Sequence, residues 1–432
     1  MLHGLREKKY MMMAWTICGF GAIYYCYEYL LRITPSVMED ALRSHFALSA
    51  SGFGLLSAFY YYAYVPLQIP VGILLDRYGP KLLITLACLI CVIGTFIFAG
   101  SNLFWLAATG RFLVGFGSAF AFVGVLKLAT IWLPEDKLGM VAGIASALGT
   151  IGAMLGDNVM GALVIKFGWR ETVNLSAYFG MVLVFVLWFG IQDRRRYQRE
   201  SGTIQNFRKS IRDLVVIIRN PQIWINGMIG CLLYLPTTVF GELWGIPYLE
   251  HAHGLSVEGA SFANSLVFFG FMIGAPLMGL ISDKLKRRRY PLLIGATGAA
   301  VLMLIVLYSP GLSQVNINIL LFLLGLFYSS QCLVFAVGRE LSPNEAAGTA
   351  MATTNMMVML GAMVLQPLIG ALLDFSVASR SGGAMYGLAI DKIQPLYTSY
   401  DYGMAMSIIP AGIIIAAILT FFLKETYADT IN

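Results

Sequence analysis

The chain has 432 residues, of which 58% are hydrophobic and only 12% are charged, and its formal net charge is +6. Charged residues make up roughly 25% of an average soluble chain, so this composition excludes a water-soluble globular protein. It favours an all-helical membrane protein, because a helix pairs every backbone polar group within one segment and can therefore cross hydrocarbon.

Twelve apolar segments are long enough to be membrane spans. A helix needs about 20 apolar residues to cross roughly 30 Å of hydrocarbon. The spans are predicted at residues 11–37, 51–75, 82–100, 103–133, 138–166, 171–192, 222–248, 260–282, 290–309, 316–338, 345–374 and 402–423. They predict a six-helix N-terminal bundle over 1–192, a cytoplasmic linker over 193–221 and a pseudo-symmetric six-helix C-terminal bundle over 222–432.

Span 1 carries two charged residues, Glu28 and Arg32, one helical turn apart. A charge in hydrocarbon costs several kcal/mol unless it faces water or a partner, so such residues are functional candidates. The acid precedes the base, which is the favourable order for an ion pair. A proton that reaches Glu28 would release Arg32 for a substrate carboxylate, and we therefore predict proton coupling at Glu28 and substrate binding at Arg32. Alternatively, the Arg32 side chain extends to the outer lipid headgroups, and Glu28 is simply its ion-pair neighbour.

A charged turn follows span 2 and recurs 207 residues later. The first copy runs from Gly72 through Asp76 to Lys81, and the second runs from Gly279 through Asp283 to Lys284. Two related halves are typical of secondary transporters, whose site lies between the repeats. The glycines are expected to allow close helix contact, and Asp76 is expected to pair across helix ends. We predict a gating or structural role for Gly72, Asp76, Arg77, Gly79, Lys81, Arg111 and Asp283.

Spans 4, 5 and 7 hold further charges. Arg111 and Lys127 are sixteen residues apart, or roughly 160° around a helix, so they cannot face one cavity. We predict that Lys127 binds substrate or closes a gate and that Arg111 braces neighbouring helices. Asp157, in a glycine-rich run, is a candidate second proton site, a hydrogen-bonded packing residue or a periplasmic gate. Glu242 is expected at the outer membrane interface.

Uncharged polar residues, among them Gln331 and Asn355, occupy spans of the second half. They suit hydrogen bonds to a substrate or between helices, and we predict substrate binding for both. The four histidines, His3, His45, His251 and His253, are predicted in loops. The six cysteines lie in spans without ligand spacing, so the sequence predicts no enzyme centre, metal site or cofactor.

Most of the 29 lysines and arginines fall in the loops on one side, including residues 194–196 and 284–289. The positive-inside rule places that side, with both termini, in the cytoplasm. The basic charge is therefore a topology signal and indicates no nucleic-acid partner. We expect a monomer in the cell inner membrane, with the lipid bilayer and a small-molecule substrate as its partners.

Three motifs resemble signatures of the major facilitator superfamily. They are the turn at 72–81, Arg111-x-x-x-Gly115-x-Gly117 in span 4, and Gly168-Trp169-Arg170 after span 5. The resemblance covers essentially the whole chain and implies a transporter with twelve transmembrane helices.

Span 2 is similar to the anion:cation symporter branch of that superfamily, through residues 57–59 and the pattern Tyr64-x-x-x-Gln68-Ile69-Pro70. This resemblance implies that Arg32, Tyr64 and Lys127 bind the anionic group of the substrate. The chain departs from the branch at Leu31 and Ser118, where the branch often carries acids, and this puts the usual proton-coupling carboxylate in doubt.

We therefore expect a secondary active transporter that moves a small polar, carboxylate-bearing solute by alternating access, with protons as the coupling ion. One alternative is an importer or exporter of amino acids, dipeptides or siderophore-like polycarboxylates. A second alternative is a membrane receptor that binds its ligand without moving it.

Overall fold

The computed structural model describes residues 2–134, 137–192, 212, 214–309, 311–343, 346–380 and 397–427, with side chains described from residue 9 onward. Within these residues the chain forms long helices joined by short turns. They are α1 Leu2–Ile33, α2 Ala50–Tyr78, α3 Pro80–Gly100, α4 Phe104–Trp132, α5 Leu138–Phe167, α6 Trp169–Gly190, α7 Pro221–His253, α8 Val257–Leu285, α9 Arg289–Tyr308, α10 Gln314–Glu340, α11 Ala347–Arg380 and α12 Ser399–Thr420.

Eleven of these helices, α2 to α12, are long and apolar enough to cross a membrane. Helix α1 has 32 residues and packs along α4 and α5, so it completes the first group of six. The predicted all-α membrane fold is confirmed. Most of the predicted linker over 193–221 lies outside the described residues.

The two ends of the bundle differ in what they contain. We call the end where α1 begins and α12 finishes the terminal face, and the opposite end the distal face. A short helix, Glu39–Phe46, follows α1 at the distal face and contains His45. Helix α7 also ends there and continues to His253, beyond its predicted end at residue 248. His45, His251 and His253 therefore lie in helices, as does His3 in α1, and the predicted loop positions of all four are wrong.

The two halves, α1–α6 and α7–α12, meet along α2 and α11. Gly370 of α11 packs against the backbone of Ala50, where α2 begins at the distal face. The Asp374 carboxylate accepts hydrogen bonds from the backbone N–H groups of Ala50 and Ser51, at 3.1 and 2.9 Å. A carboxylate at a helix N-terminus is stabilised by the helix dipole. This contact therefore holds the halves together at the distal face.

Glycines in the first half act in different ways. Gly79 ends α2 with φ of +82°, a backbone conformation that glycine adopts readily and other residues rarely adopt. A methyl group at Gly72 would meet no atom within 4 Å. The expectation that Gly72 permits close helix contact is therefore wrong for this conformation. A close approach is found instead at Gly115 of α4, where a methyl group would lie 2.7 Å from the carbonyl carbon of Tyr60 and still closer to its oxygen.

Replacing Gly115 with alanine is expected to lower the thermal stability of the purified protein. The added methyl group must push α2 away from α4, and such overpacking costs about 1–3 kcal/mol. The control is Gly72→Ala, which adds the same group where space exists and is expected to leave stability unchanged or to raise it by about 0.5–1 kcal/mol. Unfolding in detergent measures both, and equal effects would contradict the packing difference.

Candidate functional site

A buried group of polar side chains lies where α1 and α2 of the first half meet α7 of the second. We call it the central cluster. It consists of Glu28, Tyr29, Arg32, Tyr60, Tyr61, Tyr64, Tyr234 and Glu242.

Arg32 is the cation of the central cluster and is only 2% exposed. Its Nη2 atom lies 3.0 Å from Oε1 of Glu28, and its Nη1 atom lies 3.6 Å from Oε1 of Glu242. Its Nε–H group donates to the hydroxyl of Tyr60 at 3.0 Å. The guanidinium therefore does not reach the lipid headgroups, and it contacts acids from both halves. A buried charge needs such partners to offset its desolvation.

Glu28 lies one turn before Arg32 and is 0% exposed. Besides Arg32, its carboxylate accepts a hydrogen bond from the Tyr60 hydroxyl at 2.9 Å. The Ser118 hydroxyl of α4 lies near this carboxylate. Ser118 is one of the positions where the anion:cation symporter branch often carries an acid. The Glu28 carboxylate thus occupies space beside that position, although it comes from a different helix.

Glu242 is the acid from the second half, and its expected position at the membrane interface is wrong. It is 1% exposed and lies about three turns before the end of α7, in a π-helical stretch over Pro236–Trp244. Its Oε1 atom accepts a hydrogen bond from the Tyr29 hydroxyl at 3.2 Å, and its Oε2 atom accepts one from Tyr61. Two hydroxyls of the first half therefore hold an acid of the second.

Tyrosine rings surround the Arg32 guanidinium. The carbon Cζ of Arg32 lies 4.3 Å from the ring centre of Tyr29, 5.0 Å from that of Tyr64 and 5.4 Å from that of Tyr60. A cation over an aromatic face is attracted by the ring quadrupole. Of these tyrosines only Tyr64 was predicted from the sequence. The hydroxyl contacts to the acids are made by Tyr29, Tyr60 and Tyr61, which no motif indicated. Tyr64 does line the cluster with Arg32.

Arg111 lies next to the central cluster and hydrogen-bonds the backbone of α1. Its Nη1 and Nη2 groups donate to the carbonyl oxygens of Leu31 and Arg32, at 2.8 and 3.1 Å. Carbonyls in the last turn of a helix lack partners within that helix, and a cation there also complements the helix dipole. Arg111 therefore fixes the end of α1, which positions the side chain of Arg32.

Lys127 lies away from the central cluster, about 24 Å along α4 from Arg111. Its ammonium pairs with the Asp76 carboxylate at the terminal end of α2. In the second half, Asp283 lies 2.9 Å from Nη1 of Arg288. Arg77 and Lys81 lie over the rings of Tyr78 and Trp188, at 5.2 and 5.0 Å from the ring centres. Except for Arg111, which lies at the end of α1, the predicted gating residues thus lie towards the terminal face, and Lys127 joins them there.

Gln331 and Asn355 are also separate from the Arg32 guanidinium. The Asn355 amide donates to Oε1 of Gln68 at 2.7 Å and so joins α11 to α2. Gln331 is buried in a 3-10 turn of α10, and its Nε2 group makes no hydrogen bond within the described residues. Both remain predictions as substrate ligands.

Asp157 is buried at the contact between α5 and α8. Its Oδ2 atom accepts a hydrogen bond from the Asn264 amide at 2.8 Å, and its Oδ1 atom has no hydrogen-bond partner among the described residues. The same amide nitrogen donates to the carbonyl oxygen of Gly241, also at 2.8 Å. Gly241 directly precedes Glu242, so Asp157 is connected to the central cluster through one side chain and one peptide.

Replacing Lys127 with alanine is expected to change the transport rate by at most about fivefold and to leave the substrate KM unchanged. The Asp76 side chain is half exposed, and ion pairs of this kind contribute about 0–1 kcal/mol. The charge-swapped double variant Asp76→Lys/Lys127→Asp is expected to restore the rate. A tenfold increase in KM that the swap does not reverse would instead place Lys127 at the substrate.

A family model described as the Major Facilitator Superfamily matches residues 17–366 of the chain. Three relatives are about equally distant. The probable sulfoacetate transporter SauU of Cupriavidus necator is 25% identical, with 88% of this chain and 94% of that protein covered. The membrane sensor protein UhpC of Salmonella typhimurium is 25% identical, with 80% of each chain covered. The human lysosomal dipeptide transporter MFSD1 is 25% identical, with 86% and 81% covered.

A similar solved structure is the crystal structure of a bacterial homolog to the human lysosomal transporter Spinster, in an inward-facing and unoccupied conformation. It superimposes with a TM-score of 0.76 at 16% identity and covers 95% of this chain and 97% of that one. At this identity the likeness supports the arrangement of the helices and nothing finer.

Proposed function

The chain belongs to the Major Facilitator Superfamily and is a secondary transporter, and we propose that its solute is a small organic anion whose carboxylate binds Arg32. The single observation that carries this proposal is the buried guanidinium between the halves, in contact with Glu28 on one side and Glu242 on the other. A guanidinium offers paired N–H donors that match a carboxylate, which a lysine cannot do.

The charges of the central cluster support proton coupling. One cation, Arg32, is shared by two acids, so a substrate carboxylate would add a third negative charge to a site that excludes water. Unbalanced charge is expensive in such surroundings. A proton that enters with the anion keeps the net charge of the site unchanged, and we propose that Glu28 accepts it and thereby releases Arg32.

Asp157 is proposed as the alternative carrier of the proton. Its carboxyl group is buried and hydrogen-bonds an amide, and no salt bridge to it is found within the described residues. Burial of an isolated carboxylate is unfavourable, so the neutral form suits this position. Movement of α8 away from α5 would expose the group and allow it to exchange its proton.

A second candidate solute is a zwitterion such as a dipeptide. The central cluster pairs one guanidinium with an acid from each half, and Glu242 could accept the ammonium group while Arg32 holds the carboxylate. The relative MFSD1 is named a dipeptide transporter. In this case the two ends of the solute would contact different halves.

The terminal face is proposed to be cytoplasmic, with the protein a monomer in the cell inner membrane. Arg77, Lys81 and residues 286–289 lie at the terminal face, as the positive-inside rule requires of a cytoplasmic side.

Counterflow in proteoliposomes tests the proposed function with three probes: sulfoacetate, D-glucarate and dialanine. We expect counterflow of at least one of the two anions and its accumulation when an inward proton gradient is imposed. Movement of dialanine alone would favour the zwitterion carrier. Thermal stabilisation by a probe that is never transported would favour a receptor.

A further inference from the structure

Three side chains with metal-ligating groups converge at the distal face, outside the central cluster. Glu39 and Asp40 begin the short helix Glu39–Phe46 in the first half. His251 lies in the last turn of α7, in the second half. One ligand atom of each lies within 4.8 Å of the other two.

The distances fit a single ion. Nε2 of His251 lies 3.8 Å from Oε2 of Glu39 and 3.6 Å from Oδ1 of Asp40. Zinc holds imidazole nitrogen and carboxylate oxygen at roughly 2.0–2.2 Å, so two ligands at tetrahedral angles lie about 3.4 Å apart. The imidazole nitrogen is thus within a few tenths of an ångström of this spacing from each carboxylate, and the two carboxylate oxygens lie within 4.8 Å of each other.

One of these ligand atoms is buried without a partner. Glu39 is 4% exposed, and its Oε1 atom accepts a hydrogen bond from Nη1 of Arg43 at 3.0 Å. Its Oε2 atom, which faces His251, makes no hydrogen bond within the described residues. A carboxylate oxygen that is buried without a partner is energetically unfavourable. A cation beside Oε2 would offset this cost of burial.

We propose that Glu39, Asp40 and His251 form a binding site for a divalent transition-metal ion, with Zn²⁺ as the best fit. Imidazole together with carboxylates suits zinc and related ions, whereas Mg²⁺ and Ca²⁺ prefer oxygen ligands throughout. The Asp40 side chain is 61% exposed, so an ion can enter from solvent and keep water as its remaining ligand.

The ion joins the two halves, because two of its ligands come from the first half and the third comes from α7. It binds when the distal face is closed and loses a ligand when the halves separate there. A ligand that prefers one state shifts the population toward that state. Zinc in the distal medium is therefore expected to hold the distal face closed and to slow transport. Binding itself does not depend on which solute the protein carries.

Thermal unfolding of the purified full chain, with any purification tag removed, tests the binding site without a solute. Micromolar Zn²⁺ is expected to raise the Tm of the wild type, and millimolar Mg²⁺ is not. The His251→Ala variant is expected to lose the zinc shift. The matched control is His253→Ala, which removes a histidine from the same helical turn and is expected to keep the shift. The His253 ring lies outside the proposed site and hydrogen-bonds the Tyr248 hydroxyl at 2.9 Å. No shift in the wild type, or an equal shift in His251→Ala, overturns the proposal.

Zinc inhibition of counterflow tests closure of the distal face. The zinc concentration for half-inhibition is expected to rise at least tenfold in His251→Ala and to stay unchanged in His253→Ala. Equal inhibition of both variants would contradict the inference that zinc bound at this site holds the distal face closed. Because the unfolding assay uses no solute, a failed transport assay does not affect the test of the metal site.

Discussion

Arg32→Ala is expected to lower counterflow of the transported solute by about two to three orders of magnitude. Truncating one partner of a buried, hydrogen-bonded charge pair in a binding site costs about 2–5 kcal/mol of binding free energy, and each 1.4 kcal/mol is a factor of ten. The variant loses the proposed counter-charge for the anion and also leaves Glu28 and Glu242 buried without their cation. Counterflow needs no ion gradient, so it measures solute binding and movement separately from coupling.

Two further variants separate loss of the site from loss of the fold. Arg32→Lys keeps the charge but lacks the forked donors, so an intermediate rate is expected. Glu28→Gln/Arg32→Gln removes one acid with the base and is expected to be as inactive as Arg32→Ala while unfolding at a higher temperature than Arg32→Ala, because only Glu242 then lacks its cation. Arg170→Ala is the control, because that guanidinium bonds Ser101 and Asn102 at the distal face. Wild-type rate and KM in Arg32→Ala would contradict the anion site.

The sequence predicted those features that depend on one helix. The lengths of the apolar segments predicted the helices, because hydrocarbon thickness determines how long a span must be. The spacing of Glu28 and Arg32 predicted their pairing, because residues four apart share a helix face.

The partners across the two halves were harder to predict. Glu242 was missed because α7 was expected to end at residue 248, which placed this acid near the interface. The 207-residue offset between the two charged turns would have helped, since it projects Arg32 onto position 239, within one turn of Glu242. Contacts such as Tyr61 to Glu242 depend on how two bundles dock, and no local pattern encodes that packing.

The terminal face shows what the repeat preserves and what it changes. In the first half the turn contributes an acid, Asp76, to a base late in α4, Lys127. In the second half the turn contributes a base, Arg288, whose Nη2 lies 2.7 Å from Oε1 of Glu340 at the end of α10. Both pairs hold a turn against the fourth helix of its half, but with opposite charges. The recurring turn predicted the location of these contacts and not their partners.

Glu28→Gln is expected to abolish proton-driven accumulation while counterflow continues. Glutamine keeps the size of the side chain and a hydrogen-bonding oxygen for Tyr60 but cannot exchange a proton. With one proton per solute, a gradient of one pH unit supplies about 1.4 kcal/mol and hence about tenfold accumulation in the wild type. The variant is expected to reach no accumulation under the same gradient.

Proton-driven accumulation measured in parallel in Glu242→Gln and Asp157→Asn identifies the residue that carries the coupled proton. If Glu28 carries it, Asp157→Asn retains accumulation at a reduced rate, because the Asn264 contact between α5 and α8 is altered without loss of the coupling group. Accumulation that persists in Glu28→Gln and disappears in Asp157→Asn would move coupling to the α5–α8 contact. Loss in Glu242→Gln alone would assign it to the second half. The proposed mechanism, in which protonation of Glu28 releases Arg32, predicts loss of accumulation in Glu28→Gln and its retention in Asp157→Asn. Glu28 is the acid that lies on α1 together with Arg32 and pairs with it.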